Sequence, residues 1–297
     1  MKGRRKLIFV IIVIVAIGYY LNKDTINQFI TKSPIIVAGE AAVLMDEQTG
    51  EIIYSKNKQD KLYPASTTKL LTALVVLDKS EPTEQVRVGK EVLVKTEGEA
   101  RAGLFEGQVQ TVEELLAAML LQSGNDAARS LAVYIANKEK EQELPVEEAI
   151  SYFAELMNEK AVEIGATQSN FINPHGLHDE KHYSTALDIA KIARVAKQNE
   201  LIDAMVGELV FSTETHTYTN RNLLLNPDSE FFYEPATGLK TGFTDQAGYC
   251  LVSSAERDEK KLIAVILNSG QDSRWRDSIK LLDYGFSEKT VTKAAIK

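Results

Sequence analysis

YPASTTKLLTALVVL, Tyr63–Leu77, places Lys69 three residues after Ser66 at the head of an apolar run. After Lys69 come Leu70, Leu71, Thr72, Ala73, Leu74, Val75, Val76 and Leu77. The helix expected over 64–77 therefore has hardly any polar face. A helix that is apolar all round is buried, and a buried lysine must be neutral or paired. Residues at i and i+3 share one helix face, with Cβ atoms about 5–6 Å apart, so the amine can fold back to the Ser66 hydroxyl. A neutral amine there can take the serine proton as the hydroxyl attacks a carbonyl. Working near neutrality, it needs a pKa about 3 units below ~10.4, at a cost of about 4 kcal/mol. Burial and a second cation both push in that direction. Ser55-Lys-Asn-Lys58 repeats the spacing at a strand end among charges and is given no role.

Two further motifs follow in chain order. Thr111-Val-Glu-Glu114 forms a capping box that opens an apolar helix. Ser123-Gly-Asn125 then interrupts before a second helix. A hydroxyl and a carboxamide in a buried break offer a proton relay and a substrate hydrogen-bonding group; capping by Asn125 or Asp126 is the plainer alternative. Lys240-Thr241-Gly242 opens a strand pair. Lysine beside threonine suits a carboxylate, and Gly242 omits a side chain where a ligand approaches the backbone. Each motif alone is a weak signal. Together, in this order and in these contexts, they form the S-x-x-K, S-x-N and K-T-G set of penicillin-binding proteins and class A β-lactamases.

On these motifs, and on RAGL (101–104), NPHGLHDEKHYST (173–185), GLKTGFTDQAGYCLVSSA and LLDYGF (281–286), the chain resembles the bacterial D-alanyl-D-alanine carboxypeptidases. These are the low-molecular-mass penicillin-binding proteins, and the likeness covers about residues 38 to 288. It implies that Ser66 is the acylated nucleophile, Lys69 its base and Ser123 a proton relay. Asn125 would bind the substrate amide, and Lys240 and Thr241 the terminal carboxylate of a peptidoglycan stem peptide ending in D-Ala-D-Ala. Backbone N–H groups of Ser66 and Phe243, just past Gly242, would form the oxyanion hole. β-Lactams would acylate Ser66. No metal or cofactor is implied. Phe243 departs from a hydrogen-bonding residue at that position. Three rival readings are a serine β-lactamase, a D,D-endopeptidase and a non-catalytic β-lactam or wall sensor. The E-x-x-L-N glutamate of class A β-lactamases has no counterpart between Asn125 and Lys240, and Glu155-Leu-Met-Asn158 is out of register.

Strand-like Ala41–Asp46 and Glu51–Ser55 flank a turn. Helical periodicity covers Val146–Ile164, and Ser184–Asp188 caps another helix running to about Gln198. Strand patterns return at 207–213 and after residue 236, and a last amphipathic helix covers Ser273–Tyr284. The expected fold is α/β (α+β): an antiparallel sheet covered by helices, with an inserted helical subdomain, of β-lactamase/transpeptidase type. Residues 38–290 would form the domain, 23–37 a linker and 291–297 a tail.

Of 34 basic residues, four lie in MKGRRK at the start, so the remainder carries 30 against 42 acidic residues. That balance argues against nucleic acid as a partner. Residues 7–21, LIFVIIVIVAIGYYL, carry no charge and are roughly 22 Å long as a helix. They read as a signal anchor or signal peptide within 1–22, with no small-residue cleavage site following. The expected location is the bacterial cell membrane, with the catalytic domain on the extracytoplasmic face. Many members of the resembled family carry a further β-rich domain and a C-terminal amphipathic helix, which this chain stops short of. The anchor would then supply the attachment. His175, His178 and His182 lie in a Pro/Gly loop and are read as loop-structuring, and the single cysteine, Cys250, as a core residue.

Overall fold

The computed structural model describes residues 35–213 and 216–288. The expected membrane segment lies outside the described residues. Among those described, no helix is long and apolar enough to cross a membrane.

Five strands make one antiparallel sheet in the order β2-β1-β9-β8-β7. They are β1 (Ala41–Asp46), β2 (Ile52–Lys56), β7 (Ala236–Thr244), β8 (Gly248–Arg257) and β9 (Lys260–Ser269). The two chain ends thus build the sheet, as expected, and the helices between them form the insertion. Six consecutive positions, Leu262–Leu267, are fully buried in β9, so that strand shows no polar/apolar alternation. Both its faces are covered. Val43, Met45, Ile263 and Val265 face the helical core. On the other face Gly285 of α7 (Ser273–Ser287) sits so close that a Cβ there would lie 2.5 Å from Leu262 and 3.0 Å from Leu44.

The decisive stretch forms a 3₁₀ turn, Ala65–Thr68, running into α1, Lys69–Lys79. Leu70, Leu71, Ala73, Val75 and Val76 are buried, each large aliphatic among them contributing about 1.5–3 kcal/mol. Its hydroxyls are satisfied too: Thr72 donates to the Pro174 carbonyl at 2.7 Å, and Thr68 Oγ1 lies 2.9 Å from His182 Nε2. A small hairpin follows, β3 (Gln85–Arg87) with β4 (Val109–Thr111). Thr111 completes the expected capping box of α2 (Val112–Leu120). The remaining helices of the insertion are α3 (Asn125–Lys140), α4 (Val146–Ile164), α5 (Ala186–Gln198) and α6 (Glu200–Gly207).

Two sequence expectations shift, and one helix appears where none was expected. Asn125 is the first residue of α3 rather than part of the preceding break. Residues 200–207 are helical because the Asn199 side chain accepts from the Leu201 and Ile202 N–H groups, a cap hidden by the helix that ends just before it. The strand expected over 207–213 shortens to β5 (Val210–Ser212), paired with β6 (Thr217–Thr219).

Candidate active site

Lys69 is fully buried, and three oxygens surround its Nζ. Ser66 Oγ lies 2.9 Å away, Asn125 Oδ1 2.7 Å and the His175 carbonyl 2.7 Å. Two of these three, the carboxamide oxygen and the backbone carbonyl, can only accept. A neutral amine that donates to both keeps its lone pair for the Ser66 hydroxyl. Burial, reinforced by the nearby charges of Lys240, Arg129 and Arg221, holds the Lys69 pKa well below the ordinary lysine range, with Glu99 opposing. The site therefore favours the form of Lys69 that accepts a proton.

Strand β7 forms the second wall. Lys240 and Gly242, two apart on the strand, share a face. At Gly242 a Cβ would lie 3.1 Å from Ser66 N, 3.1 Å from Ala65 Cβ and 3.2 Å from Pro64 O. The glycine thus lets the strand close tightly on the turn that carries Ser66, a constraint that the sequence does not show, while it also borders the cleft. Lys240 is buried, donates to the Thr241 carbonyl at 3.1 Å, and does not line the open cleft. Burial, with Arg221 and Arg274 adding to it, lowers its pKa to about 7. Ser66, Ser123, Asn125, Thr241, Gly242 and Phe243 all border one cleft of about 790 Å³, together with Arg221 and Arg274. Ser123 occupies it with φ +63, a left-handed conformation that costs a non-glycine residue about 1–2 kcal/mol. Phe243 is 47% exposed, and its ring packs on Tyr249 at 4.4 Å between centroids.

The sequence reading missed two supports. One is the 173–182 loop, whose His175 carbonyl, 106 positions from Lys69, holds the amine. Asn173 folds the loop by accepting from Gly176 N at 2.7 Å, and Asn158 of α4 clamps its entrance through both Phe171 backbone groups. His175 Nδ1 accepts from Leu177 N, His182 Nδ1 accepts from Ile172 N, and His178 stands edge-on to Tyr63. Burial keeps His182 neutral by lowering its pKa to about 4.

The other support is Glu99. It takes a two-pronged ion pair from Arg129 (2.6 and 3.1 Å), a third contact from Arg101 (2.7 Å), and the Asn125 amide at 3.3 Å. Burial alone would raise its pKa, but the bonds from Arg129 and Arg101 outweigh that and lower it. The Asn125 carboxamide is thereby oriented with its oxygen toward Lys69. Asp126, fully buried, accepts from the N–H groups of Ala102, Gly103 and Leu104, which explains why RAGL accompanies the Ser123–Asn125 motif. A search for an acidic partner to Arg129, the one arginine of the otherwise buried start of α3, could have found Glu99. Removing it as Glu99→Ala leaves Arg129 buried without its acid, at an expected cost of about 3 kcal/mol. Urea unfolding checks this; a loss under about 0.5 kcal/mol would show the network carries no stability.

The profile of the peptidase S11 family, D-alanyl-D-alanine carboxypeptidase, matches residues 27–271. The chain is 31% identical over 279 residues to D-alanyl-D-alanine carboxypeptidase DacF of Bacillus subtilis, covering 87% of this chain and 67% of that one. It is 33% identical to DacC of Escherichia coli, of which it spans 62% while 84% of this chain is covered. It is 30% identical to the D-alanyl-D-alanine carboxypeptidase of Streptomyces sp. strain K15, over 87% of this chain and 90% of that one. The crystal structure of the Streptomyces K15 DD-transpeptidase superposes with a TM-score of 0.78 at 30% identity, covering 87% of this chain and all of that one. The sheet with its helical insertion is thus the DD-peptidase fold, and the chain belongs to the serine-type D-alanyl-D-alanine carboxypeptidase family, peptidase S11.

Proposed function

We propose that this protein is a serine D,D-carboxypeptidase that removes the terminal D-alanine from peptidoglycan stem peptides through a Ser66 acyl-enzyme. The observation that carries the reading is the Lys69 amine, buried beside Ser66 and held by two acceptor-only oxygens. Lys69 takes the hydroxyl proton while Ser66 Oγ attacks the carbonyl of the penultimate D-alanine. The developing oxyanion is met by the backbone N–H groups of Ser66 and Phe243, where β7 closes on the turn. Lys69 passes its proton by way of Ser123 to the leaving D-alanine amine, and water then releases the acyl group by the reverse path. Asn125 engages the substrate amide. Thr241 meets the terminal carboxylate at the cleft wall, with Lys240 attracting it from beneath. β-Lactams acylate Ser66 as mimics of the same peptide. The segment 1–22 anchors the chain in the bacterial membrane with this domain on the outer side, supported by MKGRRK followed by an uncharged run.

The two lysines imply a pH profile. Lys69 must be neutral, so kcat/KM rises with pH through its lowered pKa. Lys240 must be charged to attract a carboxylate, so kcat/KM falls as pH passes about 7 in the free enzyme. A bound carboxylate favours the charged lysine, so the alkaline limb of kcat lies at higher pH. Steady-state kinetics between pH 5 and 10 checks both limbs.

D-Alanine release from a peptide ending in D-Ala-D-Ala, by the full chain, tests the reaction. Release from the monomeric peptide supports the carboxypeptidase; cleavage confined to cross-linked dimers would replace it with the endopeptidase reading. Rapid hydrolysis of penicillin would replace it with the β-lactamase.

A further inference from the structure

Thr68 stands between Ser66 and Lys69 in the 3₁₀ turn, is fully buried, and does not border the cleft. Its hydroxyl oxygen lies 2.9 Å from His182 Nε2. The other ring nitrogen, Nδ1, accepts from Ile172 N–H at 3.1 Å. A backbone N–H only donates, so Nδ1 carries the lone pair. Burial keeps the ring neutral, and its one proton therefore sits on Nε2 and is donated to Thr68 Oγ1. The ring thus bonds to both sides at once, to the catalytic turn and to the entrance of the 173–182 loop. It stands edge-on to Phe171 at 5.5 Å between centroids, with both rings buried. Gly176, in the middle of that loop, packs so closely that an added Cβ would lie 2.9 Å from Thr68 Oγ1.

We infer that Thr68 and His182 are positioning residues for the general base: their bond ties the turn that carries Ser66 to the loop that carries the His175 carbonyl, and so keeps water from the Lys69 amine. The inference rests on Lys69 as the base that activates Ser66. Between Ile172 and His182 the chain passes through His175, whose carbonyl meets Lys69 Nζ at 2.7 Å. Without the bridge that loop loosens over the amine. Burial is the largest cause of the lowered Lys69 pKa, so water reaching the amine raises it toward the ordinary lysine range. The charges acting on Lys69 stay where they are: Lys240 of β7, Arg129 of α3 and Arg221 lower its pKa, and Glu99, between β3 and β4, raises it. Those acting on His182 are Lys69 of α1 and His178 of its own loop, which lower its pKa, and Asp179, which raises it. His175 feels the His182 ring in turn. A pair that served packing alone would leave the protonation of Lys69 untouched.

Acylation of the full chain by benzylpenicillin, followed across pH, separates the two roles. Thr68→Val keeps the shape and lacks the acceptor, whereas Thr68→Ser keeps the hydroxyl. His182→Asn sets an oxygen toward Ile172 N–H and does not reach Thr68. Thr68→Val and His182→Asn are each expected to move the acid limb to higher pH. Rates on that limb then fall about tenfold and approach wild type on the alkaline side. Thr68→Ser is expected to follow wild type. The double variant is expected to be no slower than either single one, because the two remove the same bond. Wild-type behaviour of all variants, one constant loss at every pH, or losses that multiply in the double variant would overturn the positioning role. The Lys69 titration, read from the Cε resonance of lysine-labelled protein and assigned by its loss in Lys69→Met, repeats the test without turnover. If the wild type is not acylated at any pH, the acyl-enzyme reading fails. A Lys69 pKa raised in Thr68→Val and not in Thr68→Ser would still support the bridge, and an unchanged one would overturn it.

Discussion

Replacing Lys69 by methionine is expected to slow acylation of Ser66 by at least about 10³-fold without unfolding the protein. Among the described residues the amine is the one base within reach of the hydroxyl: Ser66 Oγ has Lys69 Nζ at 2.9 Å and otherwise the His175 carbonyl at 3.5 Å. A carbonyl cannot carry the proton away. General-base removal costs about 10²–10⁴-fold, and larger losses follow where nucleophile and base act as one unit. Methionine keeps the length and volume of the lysine stem in a fully buried slot, so the packing survives. The size of the stability change separates a chemical from a structural role. Lys69 has a folded-state pKa depressed below its unfolded value. Between those two values the unfolded chain binds the extra proton, so the lysine destabilises the fold and does so more as pH falls. Methionine removes that penalty and leaves the Asn125 and His175 oxygens without their donor, so the net change near pH 7 is expected within about 2 kcal/mol of zero. Stopped-flow acylation by a chromogenic cephalosporin, paired with urea unfolding, checks both halves. Acylation within tenfold of wild type would remove Lys69 from the mechanism.

Gly176→Ala carries the largest expected effect on stability. Its φ is +81, and an added Cβ would lie 1.9 Å from the Ala65 carbonyl oxygen and 2.4 Å from its carbon. Those atoms are backbone, so no rotamer change relieves the overlap. Ala65 is itself held at φ +47 and touches Gly242 on its other side, so the Ser66 turn is wedged between a loop and a strand. The alternatives are to shift the turn or to lift the 173–178 loop, and the second takes the His175 carbonyl away from Lys69. A loss of more than about 4 kcal/mol is expected, with acylation falling in parallel for whatever protein remains folded. Differential scanning calorimetry of the variant measures the first, and a melting temperature within a few degrees of wild type would contradict the packing described.

The same wedge shows what sequence carries and what it hides. Ser66 and Lys69 are legible because three positions on a helix fix their separation, and the apolar run behind them declares the burial. The hairpin strands 248–257 and 260–269 are legible from their apolar runs and the charged turn between them, and the Thr111 cap from its box. Gly242 is legible as a cleft residue, but its close packing on the Ser66 turn is not, since nothing local says that the turn is its neighbour. The His175 carbonyl left no side-chain signature at all: a backbone group contributes the contact, from a loop brought in by Thr72, Thr68 and Asn158. Glu99 was missed because its partners lie 2 and 30 positions away and an acidic residue in a Gly-containing loop reads as solvated. The motif marks Lys240, but not that it is buried and donates to the Thr241 carbonyl, a placement set by the strand's packing.

The most direct test of the central claim is the mass of the full chain after brief exposure to benzylpenicillin, followed by peptide mapping. One penicilloyl group per chain is expected, carried by the peptide that contains Ser66, and none on the Ser66→Ala protein. An adduct on any other residue, or an unmodified but folded wild-type chain, would contradict a nucleophilic Ser66 activated by Lys69.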